Sequence, residues 1–187
     1  LQKLDESGMA ENTIVIFTSD HGDLLGDHGL YLKGPTPYEG LLRLGFIAKG
    51  PGIPENKVVQ DPVSTLDLAA SFYDWANVEK PANIQSASLR GLIEGTSDSR
   101  DVAYSEWNQQ PSRTGVELNL RTVRTQSAKL TIEEISGAGE MYDLSDDPDE
   151  MVNRFDDPGK KALQKELFDM IRARPGSTMD TLPEHEA

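Results

Sequence analysis

Residues 14–34 read IVIFTSDHGDLLGDHGLYLKG, an apolar run that breaks into Asp20-His21-Gly22, then Asp27-His28-Gly29, then Lys33. The chain holds 3 histidines, and two of them stand here, each directly after an aspartate. A carboxylate and an imidazole side by side can both ligate a cation where the backbone turns, and Gly22 permits the turn. Two ligands complete no metal site, so further donors must come from elsewhere in the fold. Imidazole favours zinc or manganese and carboxylate oxygen favours calcium or magnesium, which leaves the ion open. The plainer alternative makes Asp20 the cap of the turn and His21 a buried hydrogen-bonding residue, and a bare Asp-His pair suits either.

The surrounding elements give the cluster a position. Ile14 to Phe17 is a continuous β-branched and aromatic run, which predicts a strand covered on both faces as in a parallel sheet. Ligands of open α/β sheets bind just outside the carboxyl ends of such strands. Residues 1–8 read as the last turns of a helix stopped by Gly8. A loop rich in Gly and Pro leads to a second buried strand around residues 44–48, closed by Gly50-Pro51-Gly52. Ser64 and Asp67 form a weak capping box for an amphipathic helix over 65–77.

From about residue 80 the pattern changes. Short runs at 102–107, 118–125, 128–133 and 140–144 predict an antiparallel meander. Asp157 and Pro158 pair as N-cap and first helical residue. Leu163, Leu167, Met170 and Ile171 then make a helical stripe, with Arg172 and Arg174 in the last turn and Pro175-Gly176 as the stop. The expected organisation is α/β in residues 1–80, a small antiparallel sheet with a closing helix in 81–176, and a polar, disordered tail in 177–187. Trp107 and Arg113 fall in the variable part, where an approach to the pocket competes with an ordinary surface or packing role, and the ordinary role is the expectation for each.

Composition narrows the classes. A length of 187 residues suits one cored domain, alone or with a small appendage. The net charge of -14, from 32 acidic against 18 basic residues, opposes binding to nucleic acid or to an anionic membrane. Cysteine is absent, which removes disulfides and thiolate metal sites. No apolar segment approaches the roughly 20 residues that span a bilayer. The chain opens without Met in what reads as mid-helix, and one or two parallel strands make no stable sheet alone. A fragment is therefore expected, its partner being the N-terminal half of the same fold.

The stretch TSDHGDLLGDHGLYLKGPTPYEGLLRLGFIAKGPG resembles the sulfatase family of the alkaline-phosphatase-like superfamily. There the pattern runs T-S-D-H-G-E, L-G-x-H-G, a lysine, then Y-E-x-x-x-R-V-P-x-I. STLDLAASFYDWANV is similar to the helix that follows, and GEMYDLSDDPDEMVNRF to the family's C-terminal signature. The resemblance implies the C-terminal part of that fold: end strands of a mixed or parallel sheet, then a small antiparallel sheet packed with a C-terminal helix. It implies a sulfuric ester hydrolase acting on small-molecule or saccharide sulfate esters. Asp20 and His21 fall on divalent-metal ligands, the ion being calcium in sulfatases. Lys33 falls on the catalytic lysine that contacts the sulfate, and His28 on a residue that lines the pocket or shapes the loop. Asp23 stands where Glu is commoner and Gly45 where Pro is usual.

The family's nucleophile is a formylglycine made in a C/S-x-P-x-R motif, and this chain has no such motif; in SDDPD, Pro148 lies one residue too far from Ser145. By itself the chain is expected to be inactive. Phosphonate or phosphate monoester hydrolases of the same superfamily, with manganese or zinc, carry the same Asp-His pair and lysine and remain an alternative. YLKG speaks against phosphoethanolamine transferases. A non-catalytic acidic binding module is the other alternative, although DLSDDPDEMVNR fails as an EF-hand, with Pro148 at the sixth position and Arg154 at the twelfth. Self-association of the complete protein is left open.

Overall fold

The strand-like runs beyond residue 100 form one antiparallel meander. Its strands are β3 (Val102–Gln109), β4 (Leu118–Thr125), β5 (Ala128–Glu133) and β6 (Gly139–Asp143), hydrogen-bonded in that order. Before them come α1 (Gln2–Glu6), β1 (Val15–Phe17), α2 (Glu39–Leu42), β2 (Ile47–Lys49), α3 (Asp67–Trp75) and α4 (Arg90–Glu94). The short α5 (Pro111–Thr114) joins β3 to β4, and α6 (Lys161–Ala173) follows β6. This computed structural model describes residues 1–97 and 99–176, the side chains of Arg113 and Thr114 excepted. The expected tail and the Arg113 side chain lie outside the described residues. The described residues form two compact units: one of residues 1–22, 42–60, 65–97 and 99, the other of 23–41, 61–64 and 100–176.

In the second unit, register divides the sheet into two unlike faces. Val123, Leu130 and Met141 stand opposite one another across β4, β5 and β6. With Ala128 and Ile132 they pack against Leu167, Phe168 and Ile171 of α6. Burying each large apolar side chain in such a core stabilises by about 1.5–3 kcal/mol. The opposite face is polar: Arg124, Lys129 and Tyr142 align across the same strands, and Thr122 meets Thr131 with hydroxyls 2.9 Å apart. A period of two residues sends alternate side chains to opposite faces, so one strand builds both.

Asp157 caps the short 3-10 turn Pro158–Lys160 that leads into α6, accepting the Gly159 N–H at 2.8 Å, with Pro158 as its first residue; α6 itself begins at Lys161 without a side-chain cap. Leu167 and Ile171 are fully buried, and Leu163 and Met170 pack at the margin. Arg174 is itself buried and donates to Glu106 of β3 at 2.9 Å, so it ties the helix end to the sheet.

The first unit departs from expectation in three places. β1 and β2 pair with each other antiparallel, Ile16 opposite Ala48, so among the described residues β1 has no parallel neighbour. Phe17 and Ile47 face outward, 70% and 65% exposed. The strands therefore lack the two-sided cover that their apolar run predicts. Leu66, not Ser64, occupies the cap position of α3. Asp67 instead accepts the Ala87 N–H at 3.2 Å, and Ser71 accepts the Leu89 N–H at 2.8 Å, fastening α3 to the segment that enters α4. Gly50 closes β2 as expected: a Cβ there would lie 2.7 Å from both the Thr13 carbonyl oxygen and the Ile14 Cα.

Asp143 ends β6 and accepts from the Lys160 ammonium at 2.8 Å. That hydrogen bond, helped by the Ser145 N–H against partial burial, holds the carboxyl below the ordinary aspartate range. A depressed carboxylate stabilises the fold fully above its unfolded-state value and loses that contribution as pH falls through the folded value. Wild type should therefore resist urea better than Asp143→Asn at neutral pH, and the gap should close as pH drops from about 4 downward. A gap independent of pH would contradict this.

Candidate functional site

Asp20 and His21 follow β1 directly, in the first unit. Apolar packing ends at Phe17, and the backbone of Ser19, Asp20 and His21 then turns on local hydrogen bonds. The Ser19 hydroxyl donates to the His21 carbonyl at 2.8 Å, and the Asp20 Oδ1 accepts the His21 N–H at 3.0 Å. That N–H, with the Asp20 N–H and the nearby imidazole, holds the Asp20 carboxyl below its ordinary range. The side chain is ionised at neutral pH.

The His21 ring is oriented by the backbone that follows it. Its Nδ1 lies 2.7 Å from the Gly22 carbonyl oxygen, which only accepts, so Nδ1 carries the proton and the lone pair of the neutral ring sits on Nε2. Metal-binding histidines are fixed in this way, one nitrogen donating to a carbonyl while the other faces the ion. Nε2 is 3.7 Å from Asp20 Oδ2, too long for a hydrogen bond and a span that two bonds of roughly 2.0–2.6 Å to one cation cover. The Thr18 hydroxyl oxygen next in sequence is buried with no hydrogen-bond partner among the described residues. The donor set thus fits two ligands of a divalent cation. Among the described residues no third His, Cys, Asp or Glu joins them in a group.

His28 and Lys33 belong to the second unit. Residues 24–32 form a tight loop closed by backbone bonds, Leu24 N–H to Leu32 O at 3.1 Å and Gly26 N–H to Leu30 O at 2.8 Å. Asp23 starts it by accepting the Leu25 N–H at 2.9 Å. The short carboxylate makes that Asx-type turn. Leu25, His28 and Leu32 take φ of 48°, 50° and 66°, a left-handed backbone that side chains other than glycine adopt at a cost of order 1–3 kcal/mol. The His28 ring stacks on Tyr38, centroids 3.8 Å apart and planes 10° from parallel. Its Nε2 is buried with no hydrogen-bond partner among the described residues. Lys33 is exposed just past the loop.

Sequence reasoning assigned no role to a cluster that anchors this loop. Lys129, 1% exposed, pairs with Glu150, stands 3.7 Å from Glu39 and donates to the Pro37 carbonyl at 2.6 Å. The Glu39 N–H donates to Glu150 at 2.6 Å, and Arg124 donates to Glu39 at 3.0 Å. Burial lowers the Lys129 pKa and raises that of Glu150, each shift opposed by the partner's charge. Tyr38 meets Tyr142 at 6.3 Å between centroids, and burial, with the charge of Glu140, raises both phenols. The signal was present in the two motifs, since Tyr38-Glu39 and Tyr142…Glu150 are the halves that meet.

The fold is that of the alkaline-phosphatase-like class. The family described as N-sulphoglucosamine sulphohydrolase, C-terminal, matches residues 26–175, and the chain belongs to this sulfatase family. It is 33% identical to an N-acetylglucosamine-6-O-sulfatase of Bacteroides thetaiotaomicron, across 100% of this chain and 34% of that protein. A solved structure with bound substrate, D-glucosamine-2-N,6-O-disulfate, superposes with a TM-score of 0.83 at 32% identity, covering 92% of this chain and 36% of the other. The phosphonate monoester hydrolase of Agrobacterium radiobacter superposes at 0.79 with 25% identity, covering 92% and 37%. The chain spans about a third of the length of the curated relatives it matches.

Leu32 isolates the backbone strain of the loop, because its side chain is 69% exposed. Leu32→Val should destabilise by about 1–2 kcal/mol and Leu32→Gly by far less, since only glycine adopts positive φ freely. Urea titration ranks the two, and equal losses would contradict the strained geometry.

Proposed function

We propose that this chain is the C-terminal part of a sulfatase, and that it contributes two metal ligands and a sulfate-binding lysine to the active site. The observation that carries the reading is the Asp20–His21 pair, an ionised carboxylate and an imidazole lone pair 3.7 Å apart at a strand's end. Membership of the family supports assigning these donors to a divalent cation, calcium by family habit. When bound, such an ion withdraws charge from the sulfate oxygens. Lys33 supplies an ammonium donor to the same anionic group, able to follow charge as it builds during S–O cleavage. His28 shapes the loop that carries Lys33 and lines the pocket. The substrate class is a sulfated saccharide, a reading supported by the relatives that act on sulfated glucosamines. Residues 1–80 then belong to the catalytic α/β domain and 81–176 to its C-terminal subdomain. The outward Phe17 and Ile47 suit a sheet that continues into the N-terminal part of the relatives.

A second reading, hydrolysis of phosphonate or phosphate monoesters with manganese or zinc, is favoured by the likeness to the Agrobacterium enzyme. The test uses the complete protein, this chain joined to the N-terminal part that its relatives carry, assayed on matched sulfate and phosphonate esters. Sulfate ester turnover is expected to dominate, to fall by about 10²-fold or more in Lys33→Ala and to vanish for residues 1–187 alone, which lack the nucleophile motif. Robust turnover by the 187-residue chain, or wild-type rates in Lys33→Ala, would overturn the first reading. Preference for the phosphonate would establish the second.

A further inference from the structure

The polar face of the meander holds a buried charge cluster that the proposed chemistry leaves unused. We propose that Lys129 is a positioning residue for Lys33, holding residues 37–40 against the sheet so that they fix the loop delivering that lysine. The inference rests on the assignment of Lys33 made above.

The contacts run in order from the sheet to the loop. Lys129 lies on β5 between Arg124 of β4 and Tyr142 of β6. Its ammonium grips the Pro37 carbonyl at 2.6 Å. Glu150 takes the charge of Lys129 and also accepts the Glu39 N–H at 2.6 Å. Arg124 holds the Glu39 carboxylate at 3.0 Å. Two backbone groups of one three-residue segment are therefore fixed by side chains from beyond β3. Tyr38, between them, carries the stacked His28 ring. Gly40 receives the loop closely: a Cβ there would lie 3.1 Å from Asp27 Oδ2 and 3.4 Å from Leu24 Cδ2. Leu24 is buried at the base of this contact.

Energetics favours a geometric role over a stabilising one. A buried ion pair seldom outperforms well-packed apolar residues of similar volume, because desolvation consumes most of its attraction. A methionine at position 129 would fill the space without directing Pro37 or Glu39. The loop stores strain at Leu25, His28 and Leu32, and strain persists only where the surroundings over-determine the backbone. The Lys129 cluster supplies that constraint.

The test compares Lys129→Met with Lys129→Met/Glu150→Gln, which leaves no unpaired charge at Glu150 and keeps the fold testable should the single variant unfold. Hydrogen exchange in the complete protein should quicken about tenfold or more at the amides of Leu24, Gly26, Asp27 and Leu30, and less than about twofold at Leu130 and Ile132. A uniform increase, or none in the loop, overturns the proposal. Sulfate ester kinetics supply the second readout. Lys129→Met should lower kcat/KM by about tenfold, while Lys129→Met/Lys33→Ala should be no worse than Lys33→Ala alone, the non-additivity of residues acting through one group. Additive losses overturn the coupling to Lys33. Wild-type turnover in Lys33→Ala overturns the assignment of Lys33 itself, and loop exchange then still decides whether Lys129 holds the loop.

Discussion

A lysine in the middle strand of a sheet, almost wholly removed from water, is the constraint around which the second unit is arranged. Lys129 cannot be buried alone, since a lone charge in the interior costs several kcal/mol. It draws Glu150 from the turn after β6 and Glu39 from α2, and each carboxylate brings its own backbone along. The turn that supplies Glu150 is built for the purpose. Asp147 accepts the Met151 and Val152 N–H groups at 3.0 and 2.8 Å, and Asn153 accepts the Met141 and Phe155 N–H groups at 3.0 and 2.9 Å. Glu150 itself takes a φ of 56° within it. Two motifs far apart in sequence are thus one physical device.

The first unit solves a different problem with less material. β1 is three residues long, and a carboxylate and an imidazole stand just past its end. Ser19, the His21 amide and the Gly22 carbonyl orient both within a single turn. The Gly22 carbonyl chooses the tautomer, and the His21 N–H keeps Asp20 ionised.

Legibility followed the range of the interactions. β4 and β5 were readable to the residue, because their alternation and the intervening Gln126-Ser127 turn are local. The Asp157-Pro158 helix start was readable for the same reason. The Ser64 cap was not: Asp67 and Ser71 are spent on the amides of Ala87 and Leu89, a demand no local pattern reveals. The antiparallel pairing of β1 with β2 was equally hidden, since a short apolar run has no direction written into it. Of the candidate site, the adjacency of Asp20 and His21 was legible in the sequence, whereas no local pattern marked Lys129. Its partners lie across long loops, and only the fold brings them together.

The central claim is that Asp20 and His21 hold a divalent cation in a sulfatase active site. A crystal structure of the complete protein grown with calcium, with the ion located by its anomalous scattering, tests this most directly. The account predicts a cation bonded to the Asp20 carboxylate and to His21 Nε2, with Nδ1 still donating to the Gly22 carbonyl. A cation bound elsewhere, or His21 turned so that Nε2 meets the protein and not the ion, would contradict it.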